Sequence, residues 1–134
     1  MRLEPRDSLF EAGNEIFPEH THKTIESFNR CVTEQNELLY LEYRLDTTDV
    51  SYRVYLDAGL PFWSETALTD YEKDPDVEYE LVTALVGRRI QSIHWFPDSR
   101  NSKILFDTDG HSAVLQCKNP DLFDSAAEFK LIQQ

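Results

Sequence analysis

His20 and His22 are the first residues whose types and spacing could do chemistry. Residues two apart in an extended segment share a side, so "HTH" would offer two imidazoles to a zinc ion, with His94 or His111 to complete the set. That spacing matches no zinc motif and no thiol lies near it in sequence, which leaves surface histidines in an irregular stretch as the reading. Cys117 and His111 fall in one apparent strand at a separation of about 20 Å, too far for a nucleophile and its base. Cys31 and Cys117 have neither the spacing of a metal pair nor the density of a disulfide framework. They read as partly buried free thiols in a reducing cytoplasm. With four glycines in the chain, there is no Gly-rich phosphate loop and no nucleophile elbow. Non-catalytic work without metal or cofactor is the expectation.

One stretch argues for catalysis. "ILFDTDGHSA" (104–113) is an apolar run ending in Asp-x-Asp-Gly, and it resembles the opening motif of the haloacid dehalogenase superfamily. The resemblance implies Asp107 as nucleophile and Asp109 as general acid/base. His111 and Ser112 stand where that family has a Thr and an apolar residue. The family also needs a parallel α/β domain after the motif, supplying a Ser/Thr, a Lys and further acids. Only 24 residues follow Gly110, mostly strand-like, and two carboxylates alone make a weak Mg²⁺ site. A hairpin explains the stretch better. With Asp109-Gly110 as a two-residue type I′ turn, Phe106 faces Ala113, Ile104 faces Leu115, Thr108 faces His111 and Asp107 faces Ser112.

The formal net charge of −12 is unevenly placed. Residues 81–134 hold six acids and six bases, whereas 61–80 hold seven acids against Lys73 alone, and 1–37 hold eight against four. The first 80 residues therefore carry the whole excess, which peaks in "DYEKDPDVEYE". Such a field repels a phosphate backbone, excludes nucleic acid as a direct partner and speeds encounter with a basic protein. The opening residues carry acids where a signal peptide needs an apolar core, and no stretch approaches the roughly 20 apolar residues of a membrane span. A soluble cytoplasmic protein without membrane contact is expected.

The elements that would position these residues follow from periodicity. Residues 1–23 read as irregular, with Pro5, Gly13 and Pro18. Thr24 can cap a helix over 25–36, in which Ile25, Phe28 and Val32 recur at helical spacing. "LLYLEYRLDTTDVSYRVYLD" alternates as a hairpin whose four-residue loop sets Leu45 opposite Val50, Tyr43 opposite Tyr52, Leu41 opposite Val54 and Glu42 opposite Arg53. Residues 59–74 form a connection with a short helical turn after Ser64. A second helix is predicted from its punctuation: Asp74 as cap, Pro75 in the first turn, Val77, Leu81 and Leu85 every four residues, and Gly87 left-handed beyond its end. A meander of strands follows in "RRIQSIHWF", "KILFDT", "HSAVLQC" and "AEFKLI", with a turn at 97–102 and a break at 118–124. The expected fold is a single α+β domain over 1–134. It would have a mostly antiparallel sheet of about six strands with two main helices packed on one face.

Trp63, Tyr71 and Tyr79 are interleaved with Glu65, Asp70, Glu72, Asp74, Asp76, Glu78 and Glu80. Aromatic anchors rimmed by charge are a common makeup of protein-binding surfaces. Phe62 also sits in the connection, and Tyr40 and Tyr55 on the polar face of the first hairpin. "LVTALVGRRIQSIHWF" followed by "KILFDTDGHSAVLQC" resembles small bacterial domains of the toxin-immunity kind, over residues 81–132. That resemblance implies a cytoplasmic inhibitor whose acidic surface plugs a cognate toxin, often a basic nuclease, and it carries over no binding residues. The expected function is a non-catalytic acidic binding module, an inhibitor or immunity protein acting on a basic partner. An assembly subunit self-associating through strand edges, as a homo-oligomer, is the second reading, and a small hydrolase a remoter one.

Overall fold

Leu41, Tyr43 and Leu45 alternate with Tyr40, Glu42 and Arg44, and strands with this period of two make up most of the described residues. The computed structural model describes residues 14–57, 60–97, 102–117 and 127–133. In it the chain runs as β1 (Asn14–Glu15), β2 (Ile25–Val32), β3 (Leu38–Leu45), β4 (Val50–Asp57), β5 (Leu60–Ala67), β6 (Glu78–Leu81), β7 (Ile90–Phe96), β8 (Lys103–Thr108), β9 (His111–Cys117) and β10 (Ala127–Gln133). These make two five-stranded antiparallel sheets, ordered β1-β7-β8-β9-β10 and β5-β4-β3-β2-β6. Short 3₁₀ turns at Pro18–His20, Leu68–Asp70 and Thr83–Leu85 are the helical elements among the described residues.

One core lies between the sheets. Phe28 and Tyr43 of one stack with centroids 5.6 Å apart, and both meet Phe106 of the other edge-on at 5.6 Å. Ile25, Leu41, Leu45, Ile93, Ile104 and Leu115 complete the interior, all within 1 % of full burial. Each such aliphatic side chain stabilises by about 1.5–3 kcal/mol through the water it sheds.

The expected α+β class with two helices is overturned. The predicted helix over 25–36 is β2. Its register against β3 shifts between Ile25 and Ser27, and such a bulge puts two residues opposite one. Ile25 and Phe28, three apart, thereby reach the same core, which imitates helical spacing. The predicted helix after Asp74 is a turn, strand β6 and the 3₁₀ turn Thr83–Leu85. Its apolar residues divide, with Leu81 exposed and Leu85 buried, so no helical stripe exists to bury. Gly87 does take a left-handed φ of 81°. The connection after residue 59 is strand β5, paired along its whole length with β4.

Both hairpins form in the predicted register. Leu41 faces Val54, Glu42 faces Arg53 and Tyr43 faces Tyr52, while Ile104 faces Leu115, Phe106 faces Ala113 and Asp107 faces Ser112. The second hairpin does not use a type I′ turn, since neither Asp109 nor Gly110 has a left-handed φ. The Arg88 guanidinium lies over Gly110, with Nη1 2.7 Å from where a Cβ would stand, a contact that this flexible side chain could relieve by moving. Residues 1–13 of the expected irregular segment, 98–101 of the expected turn and the whole break at 118–124 lie outside the described residues.

Candidate functional site: an acidic strap over the second sheet

β5 and β6 are opposite edges of the second sheet, so the chain between them, 68–77, must cross that sheet's outer face. Four strand spacings make the crossing about 19 Å. The outer face presents Tyr40, Glu42 and Arg44 of β3, Arg53 of β4, and Ser27, Asn29 and Cys31 of β2. Glu42 is 3 % exposed. Both its oxygens are engaged: Arg53 Nε donates to Oε2 at 2.7 Å and the Tyr71 hydroxyl donates to Oε1. Arg44 lies over the Tyr71 ring at 4.7 Å and Arg53 over the Tyr40 ring at 4.6 Å.

The far end of the strap is tied by Tyr79. Its hydroxyl oxygen accepts the Asp74 backbone N–H at 2.9 Å and lies 3.2 Å from the Tyr40 hydroxyl, while Lys73 Nζ lies 5.2 Å from its ring centroid. Asp74 Oδ1 accepts the Asp76 N–H at 3.1 Å around Pro75, an Asx turn that bends the chain into β6. Burial, then the hydrogen bond to Glu42, raises the Tyr71 pKa. Burial also raises that of Tyr40, so both remain hydroxyl donors. Burial, with the Glu42 charge second, pushes the Cys31 thiol up to about 12. A polar recess of about 240 Å³ remains under the strap, lined by Ser27, Asn29, Glu42, Arg44, Tyr71, Lys73 and Tyr79.

The expected binding residues thus divide in two. Tyr71 and Tyr79 point inward and fasten the strap. Glu65, Asp70, Glu72, Asp76 and Glu78 are exposed, and no ion pair engages them among the described residues. Asp74 is half-buried in its turn, and Glu80 Oε1 lies 3.4 Å from Arg30 Nε. Asp70, Glu72, Asp74 and Asp76 therefore follow the strap rather than one face of a helix, while Glu65, opposite Tyr52, and Glu78 and Glu80, which alternate with Tyr79, take the other face of the two edge strands. Trp63 is 53 % exposed on β5 and meets Phe17 edge-on at 5.3 Å. Beside it, sequence reasoning missed Leu60, and Phe62 stacks on Tyr55 at 5.3 Å as a strand pair rather than as a loop residue. The signal was the apolar composition of "LPFW", obscured by its proline.

The other candidate groups have structural partners. His20 is buried, contrary to the surface reading, with Nδ1 3.1 Å from the Tyr43 hydroxyl and its ring stacked on Phe17. His22 is exposed. Among the described residues no three His, Cys, Asp or Glu are grouped to hold a metal ion. Cys31 and Cys117 are free and buried. Asp107 accepts the Ser112 hydroxyl at 2.9 Å, and Asp109 accepts the Arg89 N–H at 3.2 Å. No described helix is long and apolar enough to cross a membrane. No family model, no curated protein and no solved structure matches the chain.

Proposed function

We propose that this chain is a non-catalytic acidic binding protein, of inhibitor or immunity type, that neutralises a basic protein. The observation that carries the reading is the division of charge between the two sheets. Residues 24–87, which contain all five strands of the second sheet and the strap, hold fourteen acids and four bases, whereas 88–134 hold six of each. Ten of the twelve excess negative charges thereby belong to the segment that builds one sheet, and a field of that sign favours encounter with a cationic partner and repels nucleic acid. Glu65, Asp70, Glu72, Asp76 and Glu78, exposed and without an ion pair among the described residues, are the groups that would meet Lys and Arg.

The test is capture of the partner from the native host, followed by association kinetics with wild type and with a variant carrying Glu65→Gln, Asp70→Asn, Glu72→Gln, Asp76→Asn and Glu78→Gln. Association should slow with added salt for wild type, and the variant should be slow throughout. An association rate indifferent to both salt and substitution would end the proposal. Self-association through strand edges draws on the free edge of β5, but two copies of a −12 chain repel each other.

A further inference from the structure

We infer that the free edge of β5 takes an extended cationic segment of the partner as an added strand. The inference rests on the acidic-binder reading and supplies its mode of docking.

β5 pairs with β4 through all eight of its residues and is the outermost strand of its sheet. Among the described residues, its second row of backbone N–H and C=O groups has no ladder partner. Proteins ordinarily blunt such edges by shortness, charge, bulges or proline. The other three edges follow that practice: β1 has two residues, β6 has four, and β10 bears Glu128 and Lys130. β5 is long, has no register shift, and carries Pro61 near one end and Glu65 as its only charge.

Side chains strengthen the contrast. Of eight large hydrophobic residues exposed on the described surface, Leu60, Phe62 and Trp63 belong to β5 and Tyr55 to its neighbour. Phe62 lies on the outer face with Tyr55, and Trp63 on the opposite face, so a strand laid alongside meets an aromatic on either side. Asp57, opposite Leu60, Glu65 on the strand itself and Asp70, just beyond its end, set exposed carboxylates around this edge. A segment of alternating apolar and Lys/Arg residues satisfies both the aromatics and the acids. A second copy of this chain would bring the same negative charge to the seam.

The experiment uses the full chain, isotope-labelled, with amide hydrogen exchange as the readout. Three probes are compared: a capped eight-residue alternating Val/Lys peptide, the same peptide N-methylated at alternate residues, and octalysine. The alternating peptide should slow exchange of β5 amides ~10-fold at saturation while leaving β10 unchanged, because a new ladder must open before exchange. N-methylation should abolish the effect, and Phe62→Lys should weaken it without altering the far-ultraviolet circular dichroism. If octalysine and the alternating peptide bind alike without protecting β5, the edge assignment falls and the acidic-binder reading stands. If neither binds at low salt, both fall. Protection in the free monomer of the β5 amides that point away from β4, or their protection only by dimer formation, would also overturn the assignment.

Discussion

Glu42 and Arg53 are adjacent polar residues on a face that the strap closes over, and the consequence is energetic. Glu42 is almost fully buried, so removing Arg53 leaves a carboxylate with one partner where it had two. Arg53→Met should cost about 3 kcal/mol in denaturant unfolding, the lower end for a broken buried pair because Arg53 is part-exposed. Removing the whole set together, as Glu42→Leu, Arg53→Met and Tyr71→Phe, should restore stability to within ~1 kcal/mol of wild type. Additive losses would show that the cluster is not a coupled unit. His20 gives a second residue-scale outcome. Burial lowers its pKa below 6.5 and the Lys23 charge adds to this, while the Glu19 carboxylate opposes it. The unfolded chain therefore takes the proton first. Stability is full above about pH 6.5 and declines as pH falls from there toward the folded value. The melting-temperature gap between wild type and His20→Gln should narrow over that window, and a constant gap would contradict a neutral buried imidazole.

Elements show which features the sequence makes legible. Both hairpin registers could be read because strict alternation leaves one arrangement that buries every apolar residue. The Glu42–Arg53 pairing came with the first of them. β2 could not be read, because its bulge changes the face of the strand and gives Ile25 and Phe28 a helix-like spacing. The segment after Asp74 misled for a different reason: Asp74, Pro75 and Gly87 are helix punctuation and also turn residues. Here Asp74 and Pro75 shape the bend into β6, and Gly87 follows a single 3₁₀ turn. Nothing local reveals that Tyr71 reaches across to Glu42, since that contact needs the order of strands. Two tests belong to this scale. Gly87→Ala should cost ~1 kcal/mol through backbone conformation alone, as no atom lies within 4 Å of the added carbon. Tyr79→Phe should speed hydrogen exchange at the Asp74 amide, which loses the acceptor that ties the strap down.

The molecule as a whole is a sandwich with two electrostatic sides. The neutral side is built of β7 to β10 and the acidic side of β2 to β6 with their strap, while both draw on one shared core. The interior aromatics and aliphatics hold the fold, and the strap's exposed carboxylates add little to it; under the proposed function they are the groups that meet the partner. Acid-to-amide changes along the strap should therefore leave the midpoint of denaturation almost unmoved, because exposed charges contribute within about 1 kcal/mol. The most direct measurement is amide relaxation enhancement by a cationic and an anionic nitroxide of equal size, added separately at low salt. The cationic nitroxide should broaden amides of residues 65–80 well beyond the anionic one, with no such preference along β7 to β9. An equal preference on both sheets would mean that the charge is spread evenly, and would contradict a single acidic docking face.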